Sequence, residues 1–216
     1  SRTEQQLKIL LFVDDQGVAE ALEFKFRSMP YDVVKVIADN HYGEEEDNLF
    51  YINPENSADW VKMFTTLKIN DFLPDHLLYC WSLNSITGFS KGARSFAEQQ
   101  KYCFLGPVFL AQAIGKVMPA KQMDLAIISN RLFAAGGQGV FQPERATLVG
   151  PSRVIPQEYP NIRCKNIDIV LQDFSTHTRA RHIASELFSD EPGRIVAYRG
   201  RHRLVQSYEP VLINQN

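Results

Sequence analysis

The chain has 216 residues, 44% hydrophobic and 22% charged, which suits one large or two small globular domains with a core that needs no disulfide staples. Its 23 basic and 25 acidic residues leave a net charge of −2, which gives no footing for nucleic acid or for an anionic membrane. The three cysteines, Cys80, Cys103 and Cys164, form no CxxC pair and no even-numbered disulfide framework, pointing to a reducing, cytoplasmic setting, and no apolar run approaches the roughly 18 residues of a membrane helix.

The polar opening SRTEQQ, residues 1–6, reads as a linker at an expression boundary, with no signal-peptide core. Residues 7–13, LKILLFV, form a short apolar run of the kind a buried strand requires. Val18, Leu22 and Phe26 follow at helical spacing, and Pro30 closes that helix. The β-branched run 32–37, DVVKVI, predicts a second strand, and 38–53 is polar and irregular, its acidic run Glu44–Asp47 expected to be a solvated loop. Ser57 is placed to cap a helix running on to Leu67. Residues 76–83, HLLYCWSL, predict a third strand; a glycine- and serine-containing loop at 84–92 and a long helix over 93–117 follow. Residues 123–129 predict a fourth strand, 134–139 a glycine-rich loop, 143–152 a helix, 165–171 a strand and 176–188 a helix. Two strand-like runs, 194–199 and 202–208, joined by Gly200-Arg201, predict a terminal hairpin or extended arm. Strands alternating with helices imply a parallel α/β sheet, Rossmann-like, with helices on both faces and a C-terminal strand pair.

The stretch LLFVDDQGVAEAL, residues 10–22, opens as a nucleotide-binding βαβ unit opens, yet Gly17 is its only glycine. A dinucleotide site needs glycines for the turn, for close approach of the pyrophosphate and for helix packing. Asp14 and Asp15 instead stand where a phosphate would approach and would repel it, so NAD(P) is not expected at this turn and Asp15 is a turn or cap residue. Tyr31 and Lys35 spell YxxxK, but on a strand, where positions four apart are separated by about 13 Å and cannot share a proton-transfer task. Ser129 ends the fourth strand, where a short-chain dehydrogenase places its catalytic serine; the following 143–150 has no matching tyrosine and lysine, which favours a structural serine. His41, His76, His177, His182 and His202 are scattered, His177 and His182 five apart, and offer no zinc set; no GxSxG elbow supports a hydrolase. Arg194, Arg199, Arg201 and Arg203 make a basic tail, either a phosphate or nucleic-acid patch or, as their alternation along strands favours, a set of intramolecular or interdomain pairs. If any site exists, the crevice at the carboxyl ends of the strands, near Asp14, Asp15, Ser82, Asn84 and Ser129, is its place.

The motifs LLFVDDQGVAEAL, YINPENSADWVKMF, HLLYCWSLN, FLAQAIGK, AIISNRLF, RATLVGPSRVIPQEYPNIRCKNIDI and IVAYRGRHRLVQSYEPV, in this order from Leu7 to Val211, resemble the structural, N-terminal subdomain of a modular polyketide synthase ketoreductase. The resemblance implies a truncated short-chain-dehydrogenase-related subdomain over 7–192 and an arm over 193–216 leading to a catalytic subdomain not contained in the sequence. It implies no catalytic, cofactor-binding or metal residues in this chain. NADPH is expected only in the catalytic subdomain, which reduces β-ketoacyl groups on an acyl carrier protein. The implied partners are that subdomain and neighbouring synthase domains: enoylreductase, methyltransferase, dehydratase or acyl carrier protein. A pseudo-ketoreductase or dimerisation module, and an autonomous nucleotide- or acyl-binding protein with a degenerate turn, stay open as alternatives.

Overall fold

The computed structural model describes residues 6–45, 48–85, 93–135, 142–189 and 194–210. The predicted loops at 84–92 and 134–139, and the Glu46-Asp47 part of the acidic run, lie wholly or partly outside them. One nine-stranded sheet organises the chain: β1 (Leu7–Phe12), β2 (Tyr31–Ala38), β3 (Gly43–Glu45), β4 (Leu49–Ile52), β5 (His76–Tyr79), β6 (Met123–Asn130), β7 (Ile162–Ile169), β8 (Ile195–Arg199) and β9 (His202–Val205). Their order is β3-β4-β2-β1-β5-β6-β7-β8-β9, parallel from β4 to β8 and antiparallel at each edge. The strand order reverses between β1 and β5, which sets a crevice at their carboxyl ends.

Alternation along each strand sends side chains to two cores. On one face, α2 (Ser57–Ile69), α4 (Gly106–Val117) and α5 (Val149–Glu158) bury Trp60, Phe64, Leu110, Ile114 and Ile155 against Leu10, Phe12, Leu77 and Ile127. On the other, α1 (Val18–Phe26) and α6 (Thr176–Leu187) bury Leu22, Phe26, Ile183 and Ala184 against Ile9, Leu11, Leu78 and Ile128. The predicted α/β class with helices on both faces and a terminal strand pair is the observed one. Phe12 anchors the first core, its ring 5.5 Å from Trp60, 5.4 Å from Tyr79 and 5.1 Å from Trp81.

Several elements differ from the sequence reading. The stretch expected to be irregular holds β3 and β4: β4 is only four residues long, with Phe50 and Ile52 buried, and the acidic Glu44 and Glu45 ride the exposed edge strand. Acidic side chains on an edge are solvated as they would be in a loop, and they discourage further pairing. The cap of α2 is Asn56, whose side chain accepts from Ala58 N at 3.2 Å, so Ser57 is the first helical residue. β5 stops at Tyr79, and Trp81–Leu83 form a 3₁₀ turn. The predicted 93–117 helix is interrupted: α3 (Ala93–Gln100) passes through a π-helical turn, Lys101–Leu105, into α4. There Gly106 N donates to Lys101 O, one residue beyond the α partner, and Tyr79 Oη takes up the released Tyr102 carbonyl at 2.7 Å. A Cβ at Gly106 would stand 2.2 Å from that hydroxyl, so the close approach requires glycine. Residues 143–148 form a 3₁₀ turn before α5, β7 starts at Ile162, and β9 ends at Val205.

The terminal pair is a hairpin, turned by Gly200 at φ +54°, and β8 joins the main sheet beside β7. Glu186 fastens it from α6: its carboxylate accepts from Arg203 at 2.5 and 3.1 Å and from Tyr198 Oη at 2.7 Å. Burial by itself would push the Glu186 carboxyl up, but the hydrogen bonds from Arg203 and Tyr198 prevail and hold it below the 4.5 of a free glutamate. An acid depressed in the folded state stabilises the fold above its unfolded value, and that contribution is lost as pH falls through the folded value. Urea unfolding midpoints followed downward from neutral pH will therefore drop more steeply below about pH 4.5 for the native chain than for Glu186→Gln; parallel curves would contradict this. Phe12→Ala is expected to destabilise by about 3–5 kcal/mol in the same assay, because the cavity sits inside a ring cluster that cannot collapse.

Candidate functional site

The carboxyl ends of β1, β5 and β6 bring together all five residues singled out from the sequence, and each has an internal partner. After β1 the chain turns through Gly17, at φ +75°, into α1. Asp14, 6% exposed, caps that helix: its carboxylate accepts from Gln16 N at 2.9 Å, Val18 N at 3.2 Å and Ala19 N at 2.7 Å. These are the donors a phosphate would need. Burial raises the Asp14 carboxyl above its ordinary value, against the pull of the Ala19, Val18 and Gln16 amides. Asp15 ties the turn sideways, accepting from Ser85 N at 2.9 and 3.0 Å and from Gln16 Nε2 at 2.6 Å, and its own N–H donates to Asn84 Oδ1 at 3.0 Å.

Ser82 Oγ donates to the Ile128 carbonyl, which links β5's exit to β6. The carbonyls of Ser82 and Asn84 take the two terminal nitrogens of Arg145 at 2.7 and 3.1 Å. Arg145, only 5% exposed, thus projects its guanidinium from the 3₁₀ turn into the loop beside the crevice. No sequence signal marks it: an arginine within an exposed-looking PERATL segment carries no pattern of burial.

Ser129 is fully buried, and its hydroxyl donates to Asp168 Oδ1 at 2.7 Å while lying 3.0 Å from Asn166 Oδ1. Asp168, also fully buried, accepts from Leu132 N at 2.9 Å, Phe133 N at 3.2 Å and Arg199 at 2.5 Å. Arg199 adds bonds to the Tyr198 and Phe133 carbonyls at 2.9 and 2.7 Å. The serine at the dehydrogenase position is therefore part of a buried polar knot. Asp168 and Asn166 escaped the sequence reading because β7, IRCKNIDI, mixes polar and apolar residues and nothing in that pattern marks which of its polar side chains are buried.

The remaining candidates are dispersed. Tyr31 and Lys35 lie on β2; Tyr31 packs on Phe26 and Phe188, and Lys35 pairs with Glu23 at 3.3 Å. His182 stacks on Tyr198 at 4.4 Å, His41 pairs with Asp39 at 3.0 Å, and among the described residues no group of three or more His, Cys, Asp or Glu could hold a metal ion. Of the basic tail, Arg199 and Arg203 are consumed by Asp168 and Glu186, Arg201 is exposed, and Arg194 faces a groove elsewhere on the sheet. All three cysteines are free and buried, and no helix among the described residues is long and apolar enough to cross a membrane.

A family model described as "Beta-ketoacyl synthase-like, N-terminal" matches residues 7–190. The chain belongs to that family. Comparison of this beta-ketoacyl synthase-like domain with curated proteins gives no match. Among solved structures it is similar, at TM-score 0.82 and 22% identity over 94% of its length, to the "Adenylation, ketoreductase, and pseudo Asub multidomain structure of a keto acid-selecting NRPS module". It is also similar, at TM-score 0.74 and 16% identity over 99% of its length, to "an N-terminal ketoreductase from macrolactin assembly line". The domain spans 17% of the first of those chains and 43% of the second. A short-chain dehydrogenase/reductase from Serratia marcescens matches at TM-score 0.66 and 12% identity, over 91% of this chain and 97% of that one. These likenesses place the fold with the short-chain dehydrogenases, as the sequence reading had it.

The Ser129–Asp168–Arg199 knot yields a direct test. Arg199→Met removes the counter-ion of a carboxylate that no water reaches, and breaking such a pair costs about 3–5 kcal/mol. Thermal unfolding is expected to register that loss, and Asp168→Asn with Arg199→Met should recover part of it; an Arg199→Met protein as stable as the native one would refute the role assigned to the pair.

Proposed function

We propose that this beta-ketoacyl synthase-like domain is the noncatalytic structural half of a ketoreductase, packing against and stabilising an NADPH-dependent catalytic half that reduces β-ketoacyl groups on an acyl carrier protein. The observation that carries the proposal is Asp14: the α1 amides that open a nucleotide site are closed by a carboxylate of the chain itself. Displacing it would leave a buried acid without partners, and a dinucleotide would bring its own negative charge beside both Asp14 and Asp15. Ser129, sequestered by Asp168, points to the same conclusion for the chemistry. A domain with this fold and no free polar group among these five candidates is suited to presenting surface, not to turning over substrate. The ketoreductases among its structural relatives are the reason for the partner named.

The test has two arms. Calorimetry of the isolated domain with NADPH should show no binding tighter than about 1 mM, and a dissociation constant in the micromolar range would overturn the proposal. Added to the separately expressed catalytic half of a ketoreductase from the same polypeptide, the domain should raise that half's melting temperature, since any ligand of the native state stabilises it by mass action; no shift at saturating domain would count equally against it.

A further inference from the structure

At the opposite, amino-terminal end of the parallel strands the sheet carries a groove of about 630 Å³, within the size range of small-molecule sites. Its floor is a polar row. His76, Asp124 and Arg163 are register partners across β5, β6 and β7, so their side chains stand side by side on the face covered by α1 and α6. Helix α6 ends at Leu187, and Phe188, 40% exposed, forms a wall there; Pro156 and Pro160 supply apolar surface at the end of α5.

Among the described residues, the charges of this groove do not balance. Asp124 is taken by Arg163 in a two-pronged pair at 2.6 and 2.7 Å. The Glu186 carboxylate is taken by Arg203 and Tyr198, so Lys165 meets it only at 3.7 Å and spends one donor on the Glu186 carbonyl at 3.0 Å. Arg194 stands exposed at the rim with no carboxylate partner among the described residues. Among the described residues, Lys165 and Arg194 therefore leave a positive surplus. On the floor, the Nδ1 atom of His76 is buried without a hydrogen-bond partner, 3.6 Å from Asp124, and its ring meets the Phe188 ring edge-on at 5.4 Å. The buried, unpaired His76 nitrogen costs free energy as it stands, and beside it the cations and the aromatic wall offer a ligand both charge and apolar surface.

We propose that this groove binds an organic anion, its carboxylate or phosphate head held by Arg194 and Lys165 and its apolar body laid against Phe188 and the two prolines. The site is distinct from the carboxyl-end crevice and does not depend on the domain's role as a structural half. Calorimetric titration with 1-naphthoate and with 1-naphthyl phosphate tests it and shows which head is taken, with neutral 1-naphthol as the comparison. At least one anion should bind at a single site with a dissociation constant of about 1 mM or tighter, and 1-naphthol about tenfold more weakly, the value of one charge contact. Arg194→Glu, at an exposed position, should weaken the anion about tenfold as well, and Arg201→Glu on the hairpin turn should leave it unchanged. Absence of saturation with both anions, equal binding of 1-naphthol, or indifference to Arg194→Glu would each overturn the assignment.

Discussion

Asp168 is the charge around which the carboxyl end of this sheet is built. A carboxylate shut away from water costs several kcal/mol unless nearly every lone pair is used. Here Ser129 of β6, the amides of Leu132 and Phe133 beyond it, and Arg199 of β8 all converge on β7's one acid. The consequence is geometric. Three neighbouring strands and the chain leaving β6 are held to a single register by bonds that tolerate no slip, because a one-residue shift would point Arg199 away from the carboxylate. The hairpin β8–β9 gains its position from the same pair, with Glu186 as a second fastening from the helix side.

At the same end of the sheet, the turn after β1 shows how a Rossmann-like architecture can fill its own helix N-terminus. The fold supplies a crevice at the strand reversal and a helix N-terminus aimed into it, whatever the sequence. Whether that becomes a site depends on what reaches the free amides first. Asp14 is tethered four and five residues from Val18 and Ala19, so its effective concentration at those amides exceeds any that a free phosphate attains. A capping carboxylate is worth about 1 kcal/mol to the helix, and it takes up those amides at the same stroke. Arg145 works similarly from the other side, its guanidinium spent on two main-chain carbonyls.

The parts of the fold that were legible in the sequence are those where one signal dominates. Apolar runs such as LKILLFV and MDLAIIS name their strands within a residue or two. What could not be read depended on partners distant in sequence. Nothing near Asp168 announces that Arg199, 31 residues on, will share its burial. The π turn at Lys101–Leu105 is decided by Tyr79, 23 residues earlier than Tyr102, whose carbonyl it takes. The edge strands β3 and β4 are short, and a four-residue strand carries too little periodicity to rise above the polar residues around it.

The two ends of the sheet follow opposite rules. At the carboxyl end every candidate side chain meets an internal complement: acid to amide, serine to acid, arginine to acid. At the amino end the complements run out, since Glu186 serves Arg203 and Tyr198 before it serves Lys165, and Asp124 serves Arg163 before His76. The cause is the length of α6. Its last turn must reach β9 to hold the hairpin, and that commitment draws the buried Glu186 away from the strands beneath it. Surplus cationic character at the amino end is thus the electrostatic counterpart of the hairpin's attachment.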